Sequence, residues 1–166
     1  MKIAAISNTD DYNLKSSPRL ASIKGNRMKG LHIIADLYHC PPLALLTSAV
    51  TLRTACLRAC EKSGLTVLGE HFYQFESFDQ IQAGGVTGAV VLAESHLAIH
   101  TWPERLQATL DIYVCNVSAD NSGRAEALYQ LMLDVLKPRD VMTERVWRGK
   151  ELAVNLQTLA PTALVA

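Results

Sequence analysis

No Cys-x-x-Cys pair occurs in this chain of 166 residues, whose four cysteines are Cys40, Cys56, Cys60 and Cys115. Without a paired thiol framework the expectation is a reduced, cytoplasmic protein. Net charge is missing too: Lys plus Arg number 16 and Asp plus Glu 16, which removes the global field that would draw nucleic acid or an anionic membrane to the surface. The expected partner is therefore a small molecule. No run approaches the roughly 20 consecutive apolar residues of a membrane span. An uninterrupted apolar core is also absent at the N-terminus, where Asp10-Asp11 follows closely on Met1, so no secretory leader is expected. Nor do the five histidines and four cysteines form a metal set, and no essential ion is expected.

What is present is a chain that is 49% hydrophobic, enough for one domain that buries roughly two thirds of its unfolded surface. Residues 1–28 are polar, carry Ser16-Ser17-Pro18 and have no sustained period, which reads as a flexible N-terminal extension with Met28 as a second candidate start. Residues 29–150 read as the functional domain, and 151–166 as a small, apolar tail without a period. Leu31 to Tyr38 alternates apolar and polar positions as a half-buried strand does. Pro41-Pro42 then opens an amphipathic helix expected from Leu43 to Lys62, with Gly64 as its stop. Strands are expected over Thr66 to Phe75, Val86 to Ala93, His96 to Trp102 and Gln107 to Cys115. After Asp120-Asn121-Ser122, the residues Leu128, Leu131, Met132, Val135 and Leu136 mark the buried stripe of a second helix that Pro138 ends, and Val141 to Trp147 reads as a last strand. Strands joined by short turns favour an antiparallel sheet, and two helices suffice to cover one face of it. The fold class is thus α+β, a two-layer sandwich whose second sheet face needs a cover.

The segment Ala93-Glu94-Ser95-His96-Leu97-Ala98-Ile99-His100-Thr101-Trp102-Pro103-Glu104 sets a serine after a carboxylate and five residues before a histidine. Cys115 closes the next strand, on the same strand face as Tyr113 and Asp111 and opposite Leu110, Ile112 and Val114. His96 and His100 would also share a strand face, but at about 3.3 Å per residue they stand about 13 Å apart, too far to share an ion. Taken singly, each of these residues has a plainer reading: a turn serine, a strand histidine, a small buried cysteine.

Together they resemble the prokaryotic S-adenosylmethionine decarboxylase proenzymes, whose recognition motif reads almost as Glu94 to Glu104 does here; the likeness extends more loosely from Gly30 to Trp147. The resemblance implies that Ser95 attacks the carbonyl carbon of Glu94, that elimination cuts the chain between Glu94 and Ser95, and that Ser95 becomes a covalently bound pyruvoyl group with loss of ammonia. Such a group forms a Schiff base with an amino acid and takes up the electrons left by departing carbon dioxide. His100 is assigned the processing base, a task suited to an imidazole, and Cys115 the catalytic proton donor. Thr87 in Gly85-Val86-Thr87-Gly88 stands where many relatives have serine; it keeps the hydroxyl that supports processing and adds a methyl that stiffens χ1.

For the substrate, the resemblance assigns Glu104 to the ribose hydroxyls, with Trp102, Phe75 and Phe78 as candidates to stack on adenine and Asp36 as an acidic neighbour, where the family often has glutamate. The implied reaction converts S-adenosylmethionine to S-adenosylmethioninamine and carbon dioxide for spermidine synthesis. The same chemistry on arginine or ornithine stays open, as does a non-catalytic regulatory relative. The family's cover for the free sheet face is a second protomer, giving an αββα homodimer.

Overall fold

Along the first strand Leu31, Ile33, Ala35 and Leu37 are buried while Ile34 and Asp36 are exposed, and that two-residue alternation organises the whole domain. The structure is a computed structural model that describes residues 29–41, 43–77, 83–117 and 119–149. The extension expected over 1–28, the tail over 151–166, Pro42 and Phe78 lie outside the described residues.

Six strands form one antiparallel sheet: β1 (Gly30–Tyr38), β2 (Thr66–Gln74), β3 (Val86–Ala93), β4 (Ser95–Trp102), β5 (Gln107–Cys115) and β6 (Asp140–Arg148), in the order β2-β3-β4-β5-β1-β6. The expected strands all form, each within about one residue of its expected ends. Between β1 and β2 lie α1 (Leu43–Thr47) and α2 (Ala49–Lys62), and between β5 and β6 lies α3 (Ser122–Leu136). The helices pack on one sheet face, where Ile33, Leu97, Ile99, Leu110 and Ile112 meet Leu52, Cys56, Leu128 and Met132 in one buried core. This is the expected α+β two-layer architecture.

One expectation is corrected. The helix expected to run unbroken from Leu43 to Lys62 is interrupted at Ser48, whose extended backbone and side chain cap α2 by accepting from the Thr51 N–H at 3.2 Å. Gln74, at the end of β2, accepts from the Ala49 N–H at 2.9 Å. Two of the unpaired donors of a helix start are thereby satisfied. The remaining stop signals hold: Gly64 takes a positive φ of 76° one residue past the Ser63 cap, and α3 ends at Lys137 in front of Pro138.

The opposite, open face of the sheet carries Ile34, Tyr73, Val91, Trp102, Met142 and Val146, all exposed. It also carries His32, His96, His100, Asp111 and Tyr113. Edge strand β6 is fastened back to α3. Arg145 donates to both carboxylate oxygens of Glu126, at 2.7 and 2.9 Å, and Tyr129 shares a 2.6 Å hydrogen bond with Thr143.

The Arg145 guanidinium holds the Glu126 carboxyl below its ordinary range. A depressed carboxylate contributes stability above its unfolded pKa and loses it as pH falls through the folded one. Glu126→Gln is therefore expected to lower stability near pH 7 by no more than about 1 kcal/mol, since the pair is largely solvated. The deficit should shrink as the pH is lowered through the folded-state titration of Glu126, measured as the difference in Tm between the two proteins.

Candidate active site

Glu94 is the lone residue linking β3 to β4, so Ser95 begins a strand directly after a tight reversal. There Ser95 lies in register with Leu92 on β3 and Val114 on β5. Its Oγ accepts from the Cys115 N–H at 2.8 Å, and the same N–H reaches the Glu94 carbonyl oxygen at 3.4 Å. The Glu94 side chain accepts from the Val117 N–H at 3.2 Å. Asn121, buried at the start of α3, donates through Nδ2 to the Cys115 carbonyl at 3.1 Å, and its own N–H donates to the Asn116 Oδ1 at 2.8 Å. Strand β5 thus ends in a loop tied to a helix start, and that loop grips the peptide on both sides of the Glu94–Ser95 bond. Cys115 is partly exposed and lies on the open face with Tyr113, as its strand parity requires.

A second group gathers at the far end of β4. Thr87 and His100 are cross-strand partners, and the Thr87 hydroxyl meets His100 Nδ1 at 2.7 Å. The His100 ring lies 6.3 Å from that of Trp102. These residues, with Phe75, Gly85 and Glu104, line a cavity of about 870 Å³. Gly85 can sit there because its backbone passes within side-chain distance of the Thr101 carbonyl, where a Cβ would collide. Glu104 follows Pro103 in a short 3-10 turn and is exposed at the rim.

One chain does not unite these groups. Ser95 and His100 are five residues apart on an extended strand, about 16 Å at 3.3 Å per residue, and an odd separation turns their side chains to opposite faces. Asp36 shares the cross-sheet row of His100, through Thr109, but lies two strands away, about 10 Å. It is exposed and outside the cavity lining.

Between the two groups stands a cluster that the sequence reading did not single out. Asp111 Oδ1 lies 2.7 Å from His32 Nε2 and 3.1 Å from His96 Nε2. His96 therefore has a different partner from His100. The only signal available in the sequence was shared strand parity, which places His96 and Asp111 on one face but does not reveal the pairing of β1 with β5 that adds His32. Asn121 was visible as a helix-start residue; its bond to Cys115 was not.

Comparison with known proteins agrees with this architecture. A family model described as S-adenosylmethionine decarboxylase matches residues 31–149. The chain is 32% identical over 136 residues to the S-adenosylmethionine decarboxylase proenzyme of Picrophilus torridus, covering 82% of this chain and 96% of that one. It is 43% identical over 120 residues to the proenzyme of the same name from a Hydrogenobaculum species, covering 72% and 81%. The crystal structure of the adenosylmethionine decarboxylase from Aquifex aeolicus superposes with a TM-score of 0.64 at 31% identity, covering 78% of this chain and 98% of that one. Matched over most of its described length in both sequence and fold, the chain belongs to the S-adenosylmethionine decarboxylase family.

Proposed function

We propose that this chain is a proenzyme that cuts itself between Glu94 and Ser95 and then decarboxylates S-adenosylmethionine to S-adenosylmethioninamine, supplying aminopropyl groups for spermidine synthesis. The observation that carries the reading is the single Cys115 N–H within reach of both Ser95 Oγ and the Glu94 carbonyl oxygen. When Ser95 Oγ attacks the Glu94 carbonyl carbon, negative charge develops on that oxygen, and a donor already beside it can follow the charge from hydroxyl to oxyanion. The residues present therefore fit the formation of a pyruvoyl group from Ser95. Once formed, that group would supply the electron sink for loss of carbon dioxide.

His100 takes the Ser95 α-proton, so that the Glu94 carboxylate departs and the chain parts. Thr87 orients the imidazole through its hydrogen bond to Nδ1. Because His100 lies about 16 Å along β4 from Ser95, the base comes from a second protomer. The exposed apolar residues of the open face, Ile34, Val91, Met142 and Val146 among them, suit such a partner. A two-fold axis lying across the strands near Leu97 and Ala98 exchanges the two ends of β4, so that Thr87 and His100 of one protomer meet Ser95 and Cys115 of the other. The cavity beside His100 then opens onto the other protomer's Cys115. There Glu104 offers two acceptor oxygens to the ribose hydroxyls, Trp102 or Phe75 offers a ring face to adenine, and the Cys115 thiol delivers a proton to carbon. Asp36 flanks this space from β1.

Ser95→Ala and His100→Ala should each remain uncut when purified alone. Refolded together, random pairing puts one complete composite site in each mixed dimer, so about a quarter of all chains should become cleaved, as read by mass spectrometry. A mixture that stays intact would sink the two-protomer arrangement without touching the substrate assignment. Cys115→Ala keeps the backbone N–H and should still cleave, yet release label from carboxyl-labelled S-adenosylmethionine at least about 100-fold more slowly than the unaltered protein. Release by the unaltered protein from arginine or ornithine instead would overturn the substrate, and no release from any of the three would favour a regulatory role.

A further inference from the structure

Cys115 stands directly opposite Gly30 in the pairing of β5 with β1, and Arg148 stands opposite Gly30 on the other side, in β6. Gly30 has no side chain, and Tyr113 fills the vacated space. Its phenol oxygen lies 2.9 Å, and its ring carbon Cε2 2.7 Å, from where a Cβ on Gly30 would be. Directly opposed Cβ positions are about 4.5–5.5 Å apart. The phenol therefore lies in the lane between Cys115 and Arg148, within reach of the thiol. The Arg148 guanidinium sits over the Tyr113 ring, 4.5 Å from its centroid. The rings of His32 and His96 approach it at 5.7 and 6.0 Å. Tyr113 is thus held from several sides, with its hydroxyl beside Gly30, the residue directly opposite Cys115.

We propose that Tyr113 is a positioning residue for the Cys115 thiol, with its phenol O–H donating to the Cys115 sulfur and the Arg148 cation over the ring making that hydrogen a better donor. This rests on the decarboxylase reading, in which Cys115 protonates carbon. When the Cys115 S–H proton moves to carbon, the bonding pair stays on sulfur as a thiolate. The Tyr113 O–H bond stays intact and its hydrogen faces the new negative charge, and water returns a proton to sulfur once product has left. Hydrogen bonding to the Cys115 side chain, helped by burial, pushes the Tyr113 phenol above its ordinary range, so it stays a donor after Cys115 has given up its proton.

The thiol itself provides the test. Cys40, Cys56 and Cys60 are buried, and burial pushes all three thiols up, Cys60 to about 12. Carbamidomethylation by iodoacetamide therefore reads Cys115. In Tyr113→Phe, which keeps the ring and removes only the hydroxyl, alkylation of Cys115 near neutral pH is expected to slow about threefold, because the thiolate loses its donor. Arg148→Met should slow it by a smaller factor. Cleavage at Glu94 should proceed at its usual rate in both, reporting an intact fold, while kcat for S-adenosylmethionine in Tyr113→Phe falls about tenfold with KM within about twofold. Unchanged alkylation in both variants, or faster alkylation in Tyr113→Phe, would overturn the proposal by reducing the phenol to a shield. Failure of the unaltered chain to cleave would instead overturn the reading beneath it, and the alkylation comparison would still judge the Tyr113–Cys115 pair.

Discussion

Strand β4 is hydrogen-bonded along its length to β3 on one side and β5 on the other, and an extended strand held on both edges is a ruler. Its rise fixes Ser95 and His100 about 16 Å apart, whatever their closeness in the sequence. No side-chain rotation spans that gap, and a slip of register would expose the buried Leu97 and Ile99 and bury their polar neighbours. The separation of the bond to be cut from the base proposed to cut it is therefore as firm as the core itself, and the proposal of a second protomer rests on it.

The same alternation that builds the core leaves the other face of the sheet for chemistry. The helices claim the side carrying Ile33, Ile99 and Ile112. The ionisable side chains of β4 and β5 are all displayed on the open side: His96, His100, Asp111, Tyr113 and Cys115. Ser95 has the parity of the buried set, and its hydroxyl turns instead to the Cys115 backbone. The serine is thus held by the Cys115 backbone, so that in the proposed chemistry one stretch of β5 supplies both the backbone donor for processing and the side-chain donor for turnover.

Much of this is legible in the sequence. Strand alternation from Leu31 onward set the sheet and its buried face, and parity alone turned Cys115 toward Tyr113 and Asp111. The break at Ser48 was hidden because the apolar period runs on through it, and the partner that makes the break favourable, Gln74, comes from the end of another strand. Motif spacing made Ser95 and His100 look like neighbours, although the rise per residue that separated His96 from His100 applies equally to them. His32 joins Asp111 across 79 residues, and Tyr113 lies over Gly30 because β1 and β5 pair in one register. Contacts of that kind depend on strand order, which the sequence leaves open.

The central claim is that the polypeptide severs its own backbone at Glu94, and the intact mass of the purified protein tests it most directly. The account predicts two fragments, one ending at Glu94 and one whose N-terminal residue has lost the elements of ammonia from serine and gains two hydrogens on borohydride reduction. A single full-length mass that persists through prolonged incubation of properly folded protein would contradict it.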